Sequence, residues 1–103
     1  MNIIHMMGRL TNDPSLIDIT KTDGSKTQKV VFSIDVNEEY RKDNGESVEY
    51  ITHVDCVAWD SGAKLIYKSF VEGSIIIVHG KWINDPGSGG DMVRVKSFGF
   101  PMT

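Results

Sequence analysis

A chain of 103 residues, 40% hydrophobic and 24% charged, has the make-up of one soluble globular domain over 1–103 with a modest core. Its formal net charge of -3 argues against holding nucleic acid by bulk positive charge, though a local basic groove stays open because a cleft's field depends on where charges sit. No apolar run approaches the ~20 residues of a membrane span, and the single cysteine, Cys56, forbids an internal disulfide and points to a reducing compartment.

The opening, MNIIHMMGRL, has no basic leader before its apolar run and no small-residue cleavage site, so it reads as mature protein. It forms a first strand with Ile4 and Met6 on one face, and Gly8 marks a bend or bulge. TNDPS is a turn and SLIDIT a short continuation; KTDGSK is loop-like. QKVVFSIDVNEEY alternates, with Val30, Phe32, Ile34 and Val36 facing one way and Lys29, Val31, Ser33, Asp35 and Asn37 the other. Asn44-Gly45 is a strong hairpin signal, so the next strand, VEYITHVDCVAWD, runs antiparallel to it. Its core face is Val54, Cys56 and Ala58; His53, Asp55, Val57 and Trp59 face away. SGAKLIYKSF is the helical candidate, with Ala63, Ile66 and Phe70 as an apolar stripe, Asp60 or Ser61 as cap, and Gly73 beyond its end. SIIIVHGKW and MVRVKSFGF are two further strands, separated by the loop-like NDPGSGGD.

Three strands, a helix and two strands describe an all-β, five-stranded OB-fold Greek-key barrel with one short helix between strands three and four. A five-stranded sandwich fragment is the alternative, and the helix after strand three favours the barrel. In an OB barrel the outer face of strands two and three is the usual ligand surface. Trp59 and His53 have outer parity there, and Tyr40 stands near the hairpin tip. Together they read as flat rings spread along one sheet surface. Single-stranded nucleic acid stacks its bases on such rings at about 1–3 kcal/mol per base, and a duplex hides those base faces. The competing reading makes Trp59 the rim of a core or a dimer contact and the tip a solvated turn. Tyr40 beside Arg41 and Lys42 can stack a base while a cation pairs a phosphate; Asp55, between His53 and Trp59, opposes phosphate.

MNIIHMMGRLTNDPSL resembles the opening of bacterial-type single-stranded DNA-binding proteins, in its Met-Asn start, apolar strand, Gly-Arg-Leu-Thr and Asp-Pro-x-Leu. FSIDVNEEYRKDNGE is similar to their second strand and hairpin, HVDCVAWDSGAKL to their third strand and helix, FVEGSIIIVHGKW to the helix end and fourth strand, and VRVKSFGFPM to the last strand. The resemblance implies an OB fold that assembles as a homotetramer, or else a dimer, partly through the first strand from Ile3 to Met7. It implies protection of single-stranded DNA during replication, recombination and repair in the cytoplasm, nucleoid-associated, or in a host's cytoplasm if a phage encodes the chain. Replication and repair proteins are implied partners. Tyr40 and Trp59 match base-stacking positions, and His53 a position where the family often has a third aromatic. Lys29, with outer parity, and Arg41 and Lys42, flanking Tyr40, are the leading cationic candidates; Arg9, Lys81, Arg94 and Lys96 complete the set.

The chain departs from that pattern in three ways. The last hairpin turns at INDPGSGGD, losing an aromatic and basic neighbours, and Trp82, at a usually aliphatic position, either covers the barrel end or replaces that aromatic. Asp55, Ser61 and Glu72 stand at usually basic positions. The chain stops at Thr103 without the flexible acidic-tipped tail, and so reads as trimmed, naturally tailless, or phage- or element-encoded. Each phosphate neutralised adds about -0.7 to the slope of log K against log salt, so fewer cations imply weaker binding with a shallow salt dependence. No phosphate loop, nucleophile motif or metal-ligand spacing is present, which argues against an enzyme, a cofactor or a metal. Cys56 reads as an inert buried thiol. A second function class is an OB-fold primosomal or replication-accessory protein acting mainly through protein contacts, a reading that the acidic balance favours.

Overall fold

A computed structural model describes residues 1–85 and 90–101, with Asp85 by its backbone alone. The centre of the expected loop from Asn84 to Asp91 lies outside the described residues. In chain order the elements are β1 (Ile4–Leu10), β2 (Ser15–Thr20), β3 (Lys26–Arg41), β4 (Ser47–Trp59), α1 (Asp60–Ser69), β5 (Ile75–Asp85) and β6 (Gly90–Gly99).

β1 and β2 lie end to end along β3. Arg9 and Leu10 pair with Asp35 and Ile34, and Ser15 to Thr20 then pair with Val31 down to Lys26. Thr11 to Pro14 bulge out between the two ladders, and the Thr11 amide still donates to Ser33 O at 3.0 Å. Pro14 has no amide to give a ladder, so the strand breaks there. The two pieces act as the first strand of a five-stranded barrel. β1 continues onto β5 from Ile4 to Arg9, with its register unbroken through Gly8. β5 pairs with β6, and β6 returns to β4 through a short parallel contact, Cys56 to Val93 and Val57 to Arg94. The circuit is an OB barrel, evenly closed except at that two-pair seam.

Alternation drives closure, because one side of each strand is apolar and must leave water. Val30, Phe32, Ile34, Val54, Cys56, Ala58, Ile76, Val78, Val93 and Val95 are buried inside. α1 adds Ala63, Ile66 and Phe70 to the same core. Phe70 is held between Phe98, edge-on at 5.8 Å, and Phe100, stacked at 4.8 Å. Burial pushes the Cys56 thiol up to about 12, with the Asp55 carboxylate adding to the shift. The register between β5 and β6 slips at His79/Gly80. A Cβ on Gly80 would stand 1.9 Å from Arg94 O, so no side chain fits at that bulge.

The cap expected from Asp60 or Ser61 does not form. Trp59 stands at the N-cap in extended conformation and no side chain caps α1. Asp60 takes φ +60°, and its carboxylate accepts a hydrogen bond from the Thr27 hydroxyl instead.

β3 and β4 stay paired from Lys29↔Trp59 to Arg41↔Ser47. Gly45 donates to Lys42 O at 2.9 Å with φ +88°, closing a three-residue loop in which Asn44 Oδ1 accepts from the Glu46 amide. Past Val36 and Thr52 this ladder has left the core, and most of its side chains are exposed. The arm makes the molecule 60 Å long and 23 Å thin. Its radius of gyration of 15.5 Å compares with about 13 Å for a compact chain of this length.

Candidate nucleic-acid interface

Paired residues of an antiparallel ladder share a face. The outer face of β3 and β4 therefore carries Lys29 with Trp59, Ser33 with Asp55, Asp35 with His53, and Asn37 with Ile51. Trp59 is half-buried, with the Lys29 Nζ 5.6 Å from its ring centroid. The most expensive side chain to wet is thus shielded on one side by its cross-strand cation, at cation–π distance.

The middle of the face is polar and acidic. His53 Nδ1 lies 2.7 Å from Asp35 Oδ1, and His53 Nε2 lies 4.0 Å from Asp55 Oδ1. The Ser33 hydroxyl donates to Asp55 Oδ1 at 2.7 Å. Arg9 pairs with Asp35 from the β1 side, which puts Arg9, Asp35 and His53 in one cross-strand row. The Arg9 guanidinium donates to Gly73 O at 2.7 Å. On the other flank Val57 pairs with Arg94, and Arg94 with Lys81, so both cations follow the outer side of successive strands. Two grooves border the face. One of about 510 Å³ holds Asn12, Lys29, Ser33, Asp55 and Met92; one of about 440 Å³ holds Met7, Arg9, Asp35, Asn37 and Ile51.

Tyr40 is not part of this surface. Its register partner is Val48, and its parity is that of Phe32, Ile34 and Val36. It lies on the opposite face of the arm, 53% exposed, with its ring 5.9 Å from that of Tyr50. Flat rings along one sheet surface therefore gives way to two groups, Trp59 on the outer face near the barrel and Tyr40 with Tyr50 on the inner face of the arm. The Glu38 carboxylate raises the Tyr50 phenol above its ordinary value, and Glu38 also accepts from the Thr52 hydroxyl at 2.5 Å. Arg41 has outer parity at the tip, and Lys42 belongs to the turn. Trp82 pairs with buried Val93 and shares its inward side at 42% exposure. The Asn2 side chain holds the Trp82 backbone in both directions, at 2.7 and 2.9 Å. Trp82 therefore does not share the outward side that carries Lys81 and Arg94.

The OB topology, with the Trp59–Lys29 pair on the outer face of β3 and β4, agrees with what sequence comparison finds. Residues 1–84 match the single-strand binding protein family. The chain belongs to that family. Its members bind DNA and catalyse no reaction. Single-stranded DNA-binding protein 2 of Chlorobaculum tepidum is 28% identical over 102 residues, covering 94% of this chain and 67% of that protein. The single-stranded DNA binding protein of Thermus aquaticus superimposes with a TM-score of 0.75 at 23% identity, over 100% of this chain and 41% of its own. The small single-stranded DNA-binding protein of Streptomyces coelicolor gives 0.72 at 16% identity, over 99% of this chain and 97% of its own. The chain thus spans less than half the length of the Thermus protein.

Two features of this family member's surface escaped the sequence reading. Tyr50 was readable as an aromatic next to outward Ile51, but its contact with Tyr40 needs the register. Arg94 was among the cations, and only the parallel seam brings it beside β4.

Proposed function

We propose that this family member binds single-stranded DNA without sequence specificity on the outer face of β3 and β4. Bases stack on Trp59, and Lys29, Arg9 and Arg94 take phosphates. The observation that carries the reading is the Trp59–Lys29 pair, a partly open ring with an ammonium 5.6 Å from its centroid. An aromatic beside a cation accepts any base and one phosphate. His53 contributes an imidazole face, and Arg41 and Lys42 extend the cationic path to the arm's tip, where Tyr40 offers a further ring. The domain is 1–103. By its family the chain works as a homo-oligomer, tetramer ahead of dimer, using β1 between Ile3 and Met7. It protects DNA during replication, recombination and repair in the cytoplasm, beside proteins of those processes. No helix among the described residues is long and apolar enough to cross a membrane.

The test is a titration with oligo-dT, followed by intrinsic tryptophan fluorescence, at two salt concentrations. Quenching by oligo-dT and not by a duplex of the same length is expected, with a shallow salt slope. No change up to high micromolar oligo-dT refutes it.

The acidic arm favours a second reading, action mainly through protein contacts. Residues 37–52 carry five carboxylates, Glu38, Glu39, Asp43, Glu46 and Glu49, against Arg41 and Lys42. A partner retained in a nuclease-treated pull-down, together with absent oligo-dT quenching, would select that reading.

A further inference from the structure

Further along the outer side of β1 and β5, beyond Met7 on one strand and Lys81 on the other, stands a pair of groups that the proposed DNA contacts do not include. His5 and His79 are direct cross-strand partners. Their ring centroids are 4.0 Å apart, with the planes at 67°. Both side chains are exposed. Unlike His53, neither faces a carboxylate within 4.0 Å among the described residues. The neighbours along the two strands on the same side are Met7 and Ile77, register partners of each other, with Ile3 and Lys81 two residues the other way, and Ser97 on β6 pairs with His79. Two imidazoles are thus in contact on a rigid ladder with no proton acceptor to explain their pairing.

We propose that His5 and His79 form a two-histidine chelate for a divalent transition-metal ion of the zinc, nickel or copper class. Imidazole nitrogen is the ligand these ions share. A tetrahedral ion bound about 2.0–2.1 Å from each nitrogen holds the two nitrogens roughly 3.3 Å apart. Directly paired strand residues have Cβ atoms about 4.5–5.5 Å apart, and a side-chain rotation takes rings already in contact to that spacing. The backbone ladder fixes both ligands in advance, so chelation orders only side-chain torsions. No third metal-ligating side chain joins the pair among the described residues. Water, or the same pair on a second copy, fills the remaining positions. A bound ion would clasp β1 to β5 and stabilise the folded chain by mass action.

The experiment uses the full chain, stripped with a chelator. Copper(II), nickel(II) and zinc(II) chlorides are titrated in turn by calorimetry, with electron paramagnetic resonance for copper and a melting curve for each ion. Saturable binding is expected at one ion per chain or one per two chains, with nitrogen hyperfine splitting and a raised melting temperature. Loss of a group behind a ligating histidine costs 10–100-fold in affinity, so loss of the ligand itself costs at least about tenfold. His5→Gln and His79→Gln should each show that loss and abolish the melting shift. His53→Gln should change neither, and circular dichroism should show all three variants folded. Unsaturable binding, equal affinity in either His5→Gln or His79→Gln, or a loss confined to His53→Gln would overturn the proposal. Oligo-dT binding should persist in His79→Gln, which lies outside both the β3–β4 face and the strand from Ile3 to Met7.

Discussion

The barrel body and the arm of β3 and β4 are built from the same two strands, yet opposite forces shape them. In the body, one side of the ladder is buried and the other carries Lys29 and Trp59. In the arm, both sides are wet, and Tyr40, Tyr50 and Ile51 are exposed at 53%, 44% and 63%. The arm holds five carboxylates and two cations, and the rest of the chain nine of each, so the arm alone accounts for the net charge of -3. The body is thus balanced in charge, and the arm an extended acidic surface. A phosphate chain approaching the molecule meets attraction at Lys29, Arg9 and Arg94 and repulsion beyond Asn37.

The largest effect should come from the body's core. Phe70→Ala removes a ring packed between Phe98 and Phe100, and large aromatic truncations of this kind cost about 3–5 kcal/mol. Urea unfolding followed by circular dichroism measures the loss. Cys56 reports the same transition, because a thiol pushed up to about 12 by burial should ignore thiol reagents at pH 8 until the body opens. An arm substitution with an equal cost would abolish the distinction between the two regions.

Binding separates them next. Trp59→Ala should weaken oligo-dT affinity by about 1–3 kcal/mol, the stacking contribution of one base, with the fold retained. Tyr50→Ala should lose less, because Glu38 stands beside that ring and repels phosphate. Equal losses would mean that DNA contacts the inner face of the arm as well as the outer face of the body. Below this in size lies the salt slope. Lys29→Ala should make the slope of log K against log salt shallower by about 0.7, one phosphate's share, while Lys42→Ala should change it less if DNA stays on the body. Titrations at three salt concentrations give both slopes.

The body's organisation was legible because burial forces a period of two. Val30, Phe32, Ile34, Val54, Cys56 and Ala58 announced their faces, and Asn44-Gly45 fixed how the strands meet. The same alternation carries Tyr40 to the core side. Its nearness to the tip and to two cations suggested the outer face, and the rule that inward residues are buried fails once the ladder has left the barrel. The α1 cap was misread for a related reason. Asp60 and Ser61 both suit an N-cap, but Thr27, 33 positions away, engages the Asp60 carboxylate. The Lys29–Trp59 contact and the seam to Arg94 depend on register, which composition cannot supply.

The smallest effect tests the arm by its own charges. Glu39 and Glu49 are direct cross-strand partners, and neither has an ion pair among the described residues. Like charges directly opposite one another destabilise a ladder, and a good opposite-charge pair adds about 0.2–1 kcal/mol. Exposure and salt screening hold the gain to the low end. Glu49→Lys should therefore raise stability by a few tenths of a kcal/mol at low salt, and less at high salt. It also adds two units of positive charge to the arm, so oligo-dT affinity should rise and its salt slope steepen. If stability rises while affinity and slope stay fixed, DNA does not reach the arm, and the exposed tyrosines there face some other surface. If affinity rises with the slope, the acidity of the arm limits where a bound strand ends, and the two regions form one interface with opposed charges.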